Sequence, residues 1–285
     1  MGIGSGIELI FADDGSADKS YALKLKEILK YQPVPALVCL ENRNLGRSKI
    51  RNLLTNKSSG RFLLFLDSDV LPDYSDFICT YLDIIPQNPA VVYGGRSVLM
   101  WGRVPSELRL HWFFTKMREQ VPARIRNRNP AFYFMSSNFL VRRDVMQSFP
   151  FSDEFRGWGW EDSDWAARVG ERFPIINIDN PASHMGLLKE IDLLKKYDQS
   201  VENFRFTLQR HSDMLSGTML LRAIKFIQLS RSANLIKVIS RRLICTHRMP
   251  DSIRIVFLML YKAAIYSDGI DRSWAADEAR RHAKR

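Results

Sequence analysis

The sequence predicts an α/β protein, a mostly parallel sheet flanked by helices, with an α-helical appendage at its C-terminal end. Three observations carry this. Short apolar runs alternate with helical patterns through the first two thirds of the chain, as in strand–helix–strand units. One run, Leu63-Leu64-Phe65-Leu66, passes straight into Asp67-Ser68-Asp69 and so sets two carboxylates at the carboxyl edge of a sheet, where open α/β folds bind ligands. Beyond about residue 188 the strand-like runs cease and only helical spacing remains.

The elements follow in order. Glu8 to Ala12 is an apolar strand ending at the turn Asp13-Asp14-Gly15-Ser16. Ala17 to Tyr31 has helical spacing at Tyr21, Leu25, Ile28 and Leu29 and is broken by Pro33 and Pro35. Ala36 to Leu40 is a second strand, Ser48 to Asn56 a helix, Arg61 to Leu66 a third strand, residues 74 to 85 a helix and Ala90 to Tyr93 a further strand. Gly94 to Pro130 is irregular, rich in arginine and aromatics. Phe132 to Arg142 reads as a strand carrying Ser136, Ser137 and Asn138. A helix starts at Ser163, and Pro174 to Ile178 is a last strand before Ser183-His184. This divides the chain into residues 1–187 and a helical region, 188–285.

Composition narrows the class. The chain has 285 residues and a hydrophobic fraction of 46%, enough for one large domain with an appendage. No run reaches the ~18–20 uninterrupted apolar residues of a spanning helix, and the best candidate, Ile253 to Tyr266, contains Arg254 and Lys262. No secretory signal is visible, and the three cysteines lie far apart, as expected of reduced thiols in the cytoplasm. The net charge of +11 is concentrated late: from Met185 onward there are 19 Lys+Arg against 10 Asp+Glu. Such a tail is either a solvated helical surface or a face for an anionic partner. Arg241, Arg242, Lys237, Arg248 and Arg254, interleaved with Leu235, Ile239, Ile253 and Val256, suggest peripheral contact with the inner face of an anionic membrane. No recognition helix, zinc or RNA-binding motif points to nucleic acid.

The densest constellation is Phe155 to Trp165, Phe-Arg-Gly-Trp-Gly-Trp-Glu-Asp-Ser-Asp-Trp. Trp158 and Trp160 offer flat faces of the kind that stack on sugar rings, and Glu161-Asp162 supplies two acids for proton transfer. The same acids also suit a helix start, where they favour the macrodipole. Asp67 and Asp69 provide hard oxygen ligands for Mn²⁺ or Mg²⁺, which bridge phosphates, and His184 can complete the sphere.

These residues resemble the inverting family-2 glycosyltransferases of GT-A fold. Glu8 to Asp18 is similar to that family's nucleotide-binding strand and turn, Asn44-Leu-Gly46 with Arg51-Asn52 to its Asn-x-Gly…Arg-Asn element, and Phe65 to Val70 to its metal motif. Ser137 to Arg143 followed by Phe155 to Asp164 resembles the galactosyl- and N-acetylgalactosaminyltransferase-like branch, which includes chondroitin-type polymerases. The resemblance implies a UDP-sugar donor and a glycan or lipid-linked glycan acceptor. It places Asp13 and Asp14 at the uracil, Arg51, Asp67 and Ser68 along the nucleotide sugar, and Asp67, Asp69 and His184 at the metal. Asp162, with Glu161, falls in the base position, and Trp158, Trp160 and Asn138 fall on the acceptor side. One departure stands out. The family's usual first strand and helix do not precede the Asp-Asp-Gly-Ser strand, so a shortened enzyme is expected, with a non-catalytic glycan- or nucleotide-binding relative as the alternative.

Overall fold

A computed structural model of the chain describes residues 6–270. Residues 1–5 and 271–285, the outer ends of the two expected regions, lie outside the described residues. Among the described residues nine strands form three small sheets. β1 (Leu9–Asp13) and β2 (Ala36–Leu40) pair in parallel, joined by the Ser20–Leu29 helix. The remaining strands are β3 (Phe62–Leu66), β4 (Val70–Pro72), β5 (Val91–Tyr93), β6 (Arg96–Ser97), β7 (Asn138–Arg142), β8 (Ile175–Asn177) and β9 (Ala182–His184). They form a four-stranded sheet of order β3-β7-β5-β8 and a three-stranded sheet of order β4-β9-β6.

The α/β class is as the alternation predicts, but the pairing is more mixed than the sequence suggests. β5 pairs with β8, and β6 with β9, in parallel, while β7 lies antiparallel to both β3 and β5. The stretch expected to be irregular contains a helix, Arg109–Arg118, which buries Leu110, His111, Phe114 and Thr115. Leu110 and Phe114 pack with the C-terminal helices, and the chain then passes through two short helices, Ala123–Arg126 and Pro130–Tyr133, before β7. Aromatic and basic side chains on both faces of the Arg109–Arg118 helix blur its period in the sequence. Two other boundaries move. The strand expected from Phe132 begins only at Asn138, because Pro130–Tyr133 forms a helical turn with Pro at its first position. The helix expected over 74–85 is confined to Phe77–Leu82.

β3 shows why its sequence is continuously apolar. Leu63 and Phe65 face a cluster built around Phe139, Phe151 and Trp165, while Phe62 and Leu64 pack against Phe77 and Tyr81 on the other side. A strand covered on both faces carries no polar alternation. Trp165 is fully buried, stacks on Phe151 and donates from Nε1 to the Phe149 carbonyl at 2.7 Å. It thereby holds the Glu161–Gly170 helix against the sheet.

After His184 every described element is a helix: Glu190–Gln199, Val201–Arg210, Ser212–Leu215, Met219–Ser230, Ala233–Ile244 and Asp251–Asp268. Their shared core includes Leu193, Phe204, Ile224, Leu258 and Tyr266, and Trp158 and Trp160 pack against it. Arg254, which the sequence places on a basic rim, is instead buried. Its guanidinium meets Glu190 and Asp251 and donates to the Ile244 carbonyl at 2.8 Å. Breaking a buried pair leaves the other charge uncompensated, so Arg254→Leu is expected to cost about 3–5 kcal/mol, read as a lowered urea midpoint at unchanged slope.

Candidate active site

The site assembles from loops at the ends of β1, β3 and β9 and from the start of the Glu161–Gly170 helix. At the end of β1, the Asp13 carboxylate closes a turn by accepting from Ser16 N at 2.9 Å, and Lys19 pairs with it at 3.1 Å. The Ser16 hydrogen bonds hold the Asp13 carboxyl below its ordinary pKa. Asp14 reaches across to the β2 side, where its two oxygens accept from Leu45 N at 2.6 Å and Gly46 N at 3.0 Å. The intervening Gly15 has φ +80°, and a Cβ there would lie 2.3 Å from the Arg43 carbonyl carbon. Only glycine lets the two loops approach this closely. The Asn44-Leu-Gly46 element is thus the partner of Asp14, and the two motifs form one wall. A cavity of about 280 Å³ opens beside it, lined by Arg47, Lys49, Arg156 and Glu161 among others. A second cavity of about 400 Å³ is lined by Asn52 of the Arg51-Asn52 element and by Arg168, but by none of the residues expected at the metal, base or acceptor.

At the end of β3, the Asp-x-Asp turn splits its two carboxylates between different partners. Asp67 accepts from the buried Arg51 at 2.7 Å. Asp69 faces His184 on β9, with Oδ2 3.4 Å from Nε2. The Asp69 carboxyl is lowered to about 2, foremost by its hydrogen bond with His184 and against the cost of its burial. His184 is buried, its Nδ1 has no hydrogen-bond partner and its carbonyl accepts from Trp101 Nε1 at 2.8 Å. Gly186 leaves room for the pair, since a Cβ there would lie 2.2 Å from Asp69 Oδ2. One carboxylate oxygen and one imidazole nitrogen form a donor set suited to Mn²⁺. Among the described residues no three His, Cys, Asp or Glu side chains converge to hold an ion by themselves. Two such ligands are fewer than the coordination sphere of a divalent ion requires. Ser68, between the two acids, is exposed.

The acids at the helix start occupy different environments. Asp162 is anchored by Ser136, which donates from Oγ at 2.6 Å and from its backbone N at 3.1 Å. Glu161 is buried, with Arg47 3.4 Å away. Its own burial and the neighbouring Asp162 charge raise its carboxyl above the usual range, and Arg47 and Arg51 pull the other way. Arg51 ties the two acidic motifs together. Its burial opposes the charge, yet Asp67, Asp162 and Glu161 all lie within electrostatic reach and raise its pKa. Arg51 Nη1 has no hydrogen-bond partner.

The tryptophans are half-buried and lean on the helical region. Trp160, at φ +74°, donates from Nε1 to the Tyr266 hydroxyl at 3.0 Å and packs on Phe204. Trp158 meets Tyr197 edge-on, with the Lys196 ammonium 5.9 Å from its ring centre. Asn138 does not fit the acceptor role that the sequence suggests. It is fully buried, accepts from Tyr81 Oη at 2.7 Å and donates to the Gly95 and Asn180 carbonyls, both at 2.9 Å. A buried amide so fully bonded is a strut between strands.

Four residues emerge only in three dimensions. Ser136 fixes Asp162, and Arg47 meets Glu161. Lys196 and Arg96 lie within electrostatic reach of Asp69 and bring positive charge toward it. Of these, Arg47 follows the Asn44-Leu-Gly46 element directly and could have been found from it.

The Glycosyl transferase family 2 model matches residues 3–149 of the chain, a little over half of it, and the protein belongs to that family. Asp162 and His184 lie beyond the matched segment. Among solved structures, the mannosyltransferase PcManGT from Pyrobaculum calidifontis, in complex with GDP-Man and Mn²⁺, is similar at 13% identity and TM-score 0.53, covering 91% of this chain and 77% of its own. TarS residues 1–349 from S. aureus, in complex with UDP, is similar at 15% identity and TM-score 0.47, covering 93% of this chain and 80% of its own. No curated protein sequence matches the chain.

Proposed function

We propose that the protein transfers a hexose or N-acetylhexosamine from a UDP-sugar to a glycan acceptor, with inversion and with the help of Mn²⁺ or Mg²⁺. The observation that carries the reading is the convergence, through Arg51, of the Asp67-Ser68-Asp69 turn and the Glu161-Asp162 pair, which stand far apart in sequence. Membership of family 2 supports it, as does the fold shared with PcManGT, which binds a nucleotide sugar and Mn²⁺.

In this reading the wall formed by Asp13, Asp14 and the Asn44–Gly46 loop receives the uridine, with Arg51, Asp67 and Ser68 along the donor. Asp69 and His184, with Asp67 beside them, would hold the divalent ion. That ion supplies charge neutralisation at the departing diphosphate. Asp162 takes the proton from the acceptor hydroxyl, and Ser136, donating to both carboxylate oxygens, fixes the orientation in which a remaining lone pair accepts it. The acceptor oxygen forms its bond to the anomeric carbon as the bond to the diphosphate breaks. UDP leaves with that electron pair, and the proton remains on Asp162. Glu161 and Arg47 set the charge around the base, and Trp158 offers the acceptor an apolar face. The helical region from residue 188 onward acts as the cover that holds Trp158 and Trp160 in place.

Calorimetric titration with UDP tests the donor half. UDP is expected to bind in Mn²⁺ and to bind at least about tenfold more weakly in EDTA, because two protein ligands alone leave most of the ion's coordination to the diphosphate. Absence of UDP binding in Mn²⁺ would overturn the assignment.

A further inference from the structure

We propose that the outward faces of the Met219–Ser230 and Ala233–Ile244 helices form a docking surface for an anionic lipid bilayer. Both helices are apolar on two sides. Leu221, Ile224 and Ile227 of the first, and Ile244 of the second, face the core. On the opposite side Met219, Arg222, Phe226 and Leu229 recur at helical spacing, as do Leu235, Val238, Ile239 and Arg242. Phe226 is 68% exposed, Leu229 83% and Val238 69%. Single exposed apolar residues are ordinary, but a patterned face of this kind marks an interaction site.

Charge identifies the partner. Between Asp213 and Asp251 the chain has seven Lys and Arg residues and no Asp or Glu. Arg222, Arg231, Arg241, Arg242 and Arg248 are exposed beside the apolar side chains. Lys237 is tied to Asp268 and Arg254 is buried, so neither belongs to this rim. A second copy of the same face would bring like charges together with no acids to balance them. Nucleic acid matches the charge but gives Phe226, Leu229 and Val238 nothing apolar to enter. An anionic bilayer satisfies both at once, with apolar side chains at the acyl boundary and arginines among the headgroups. Among the described residues no helix is long and apolar enough to cross a membrane, so the contact is with the surface.

The test is cosedimentation of the full chain with vesicles of phosphatidylcholine alone or mixed with phosphatidylserine. Pelleting is expected with the anionic vesicles only, and weaker at high salt. Each arginine at the surface contributes about fivefold to partitioning, so Arg222→Gln with Arg242→Gln should weaken it about 25-fold. The triple variant Phe226→Ser, Leu229→Ser, Val238→Ser should keep its circular dichroism and lose pelleting. Three results would each overturn the proposal. The protein could stay in the supernatant with anionic vesicles at low salt, or the triple variant could pellet as wild type, as charge adsorption alone would allow. The third is a concentration-dependent dimer in sedimentation velocity that the triple variant abolishes, making the face a contact between copies.

Discussion

Asp162→Asn is expected to lower sugar transfer ~10²–10⁴-fold while UDP still binds. The substitution keeps the side chain's size and removes the proton acceptor. It also disturbs the anchor, because both contacts from Ser136 are donors and an amide nitrogen cannot accept. One donor is left unmatched, at a cost of about 1–3 kcal/mol. Thermal melts must therefore accompany the rate measurements, and the test is sound if the variant remains folded at the assay temperature. Glu161→Gln is the companion. Glu161 is buried and faces Arg47, so the expected loss is smaller. An active Asp162→Asn beside a dead Glu161→Gln would reverse the two roles.

The second large effect is expected from Asp69→Ala. Asp69 and His184 are the pair proposed to hold the ion, whereas Asp67 is engaged by Arg51. Removing Asp69 takes the one carboxylate of that pair. The expected fall in turnover exceeds the ~10–100-fold typical of losing an outer-shell partner, and added Mn²⁺ should not restore it. His184→Ala should be milder, raising the Mn²⁺ concentration needed for half-maximal rate. Asp67→Ala should also lose activity, but through a different route, since it strands the buried Arg51 charge and lowers stability as well. Melting temperatures separate the two: lowered in both, but more for Asp67→Ala, which strands the buried Arg51 guanidinium, than for Asp69→Ala, which removes the His184 contact. Full activity of Asp69→Ala would remove the metal assignment.

Much of this site was legible because its signals are local. β3 is an apolar run stopped by acids, and a glycine–tryptophan turn followed by three acids marks the helix start, expected at Ser163 and found at Glu161. Each can be read within about ten residues. The Ala182–His184 strand, beyond the last strand the sequence suggests, is not among them. What was not legible depends on distant partners. Asn138 sits in a polar run that suggests a site, yet its bonds go to Tyr81, Gly95 and Asn180, and its burial is decided by strands outside the motif. Arg47 meets an acid 114 residues away. Arg254 carries a charge that the sequence puts in water, while Glu190 and Asp251 draw it into the helical core. The flat faces of the tryptophans suggest sugar stacking, but Tyr266 and Phe204 take part of Trp160 from the opposite end of the chain.

The most direct measurement is release of UDP over time from mixed UDP-sugars in Mn²⁺ with a panel of glycan acceptors. Wild-type protein is expected to release UDP in proportion to glycan product. Release should stop in EDTA and fall ~10²–10⁴-fold in folded Asp162→Asn. A protein that binds UDP in Mn²⁺ but releases none from any donor and acceptor combination would contradict catalysis and leave a nucleotide-binding relative of the family.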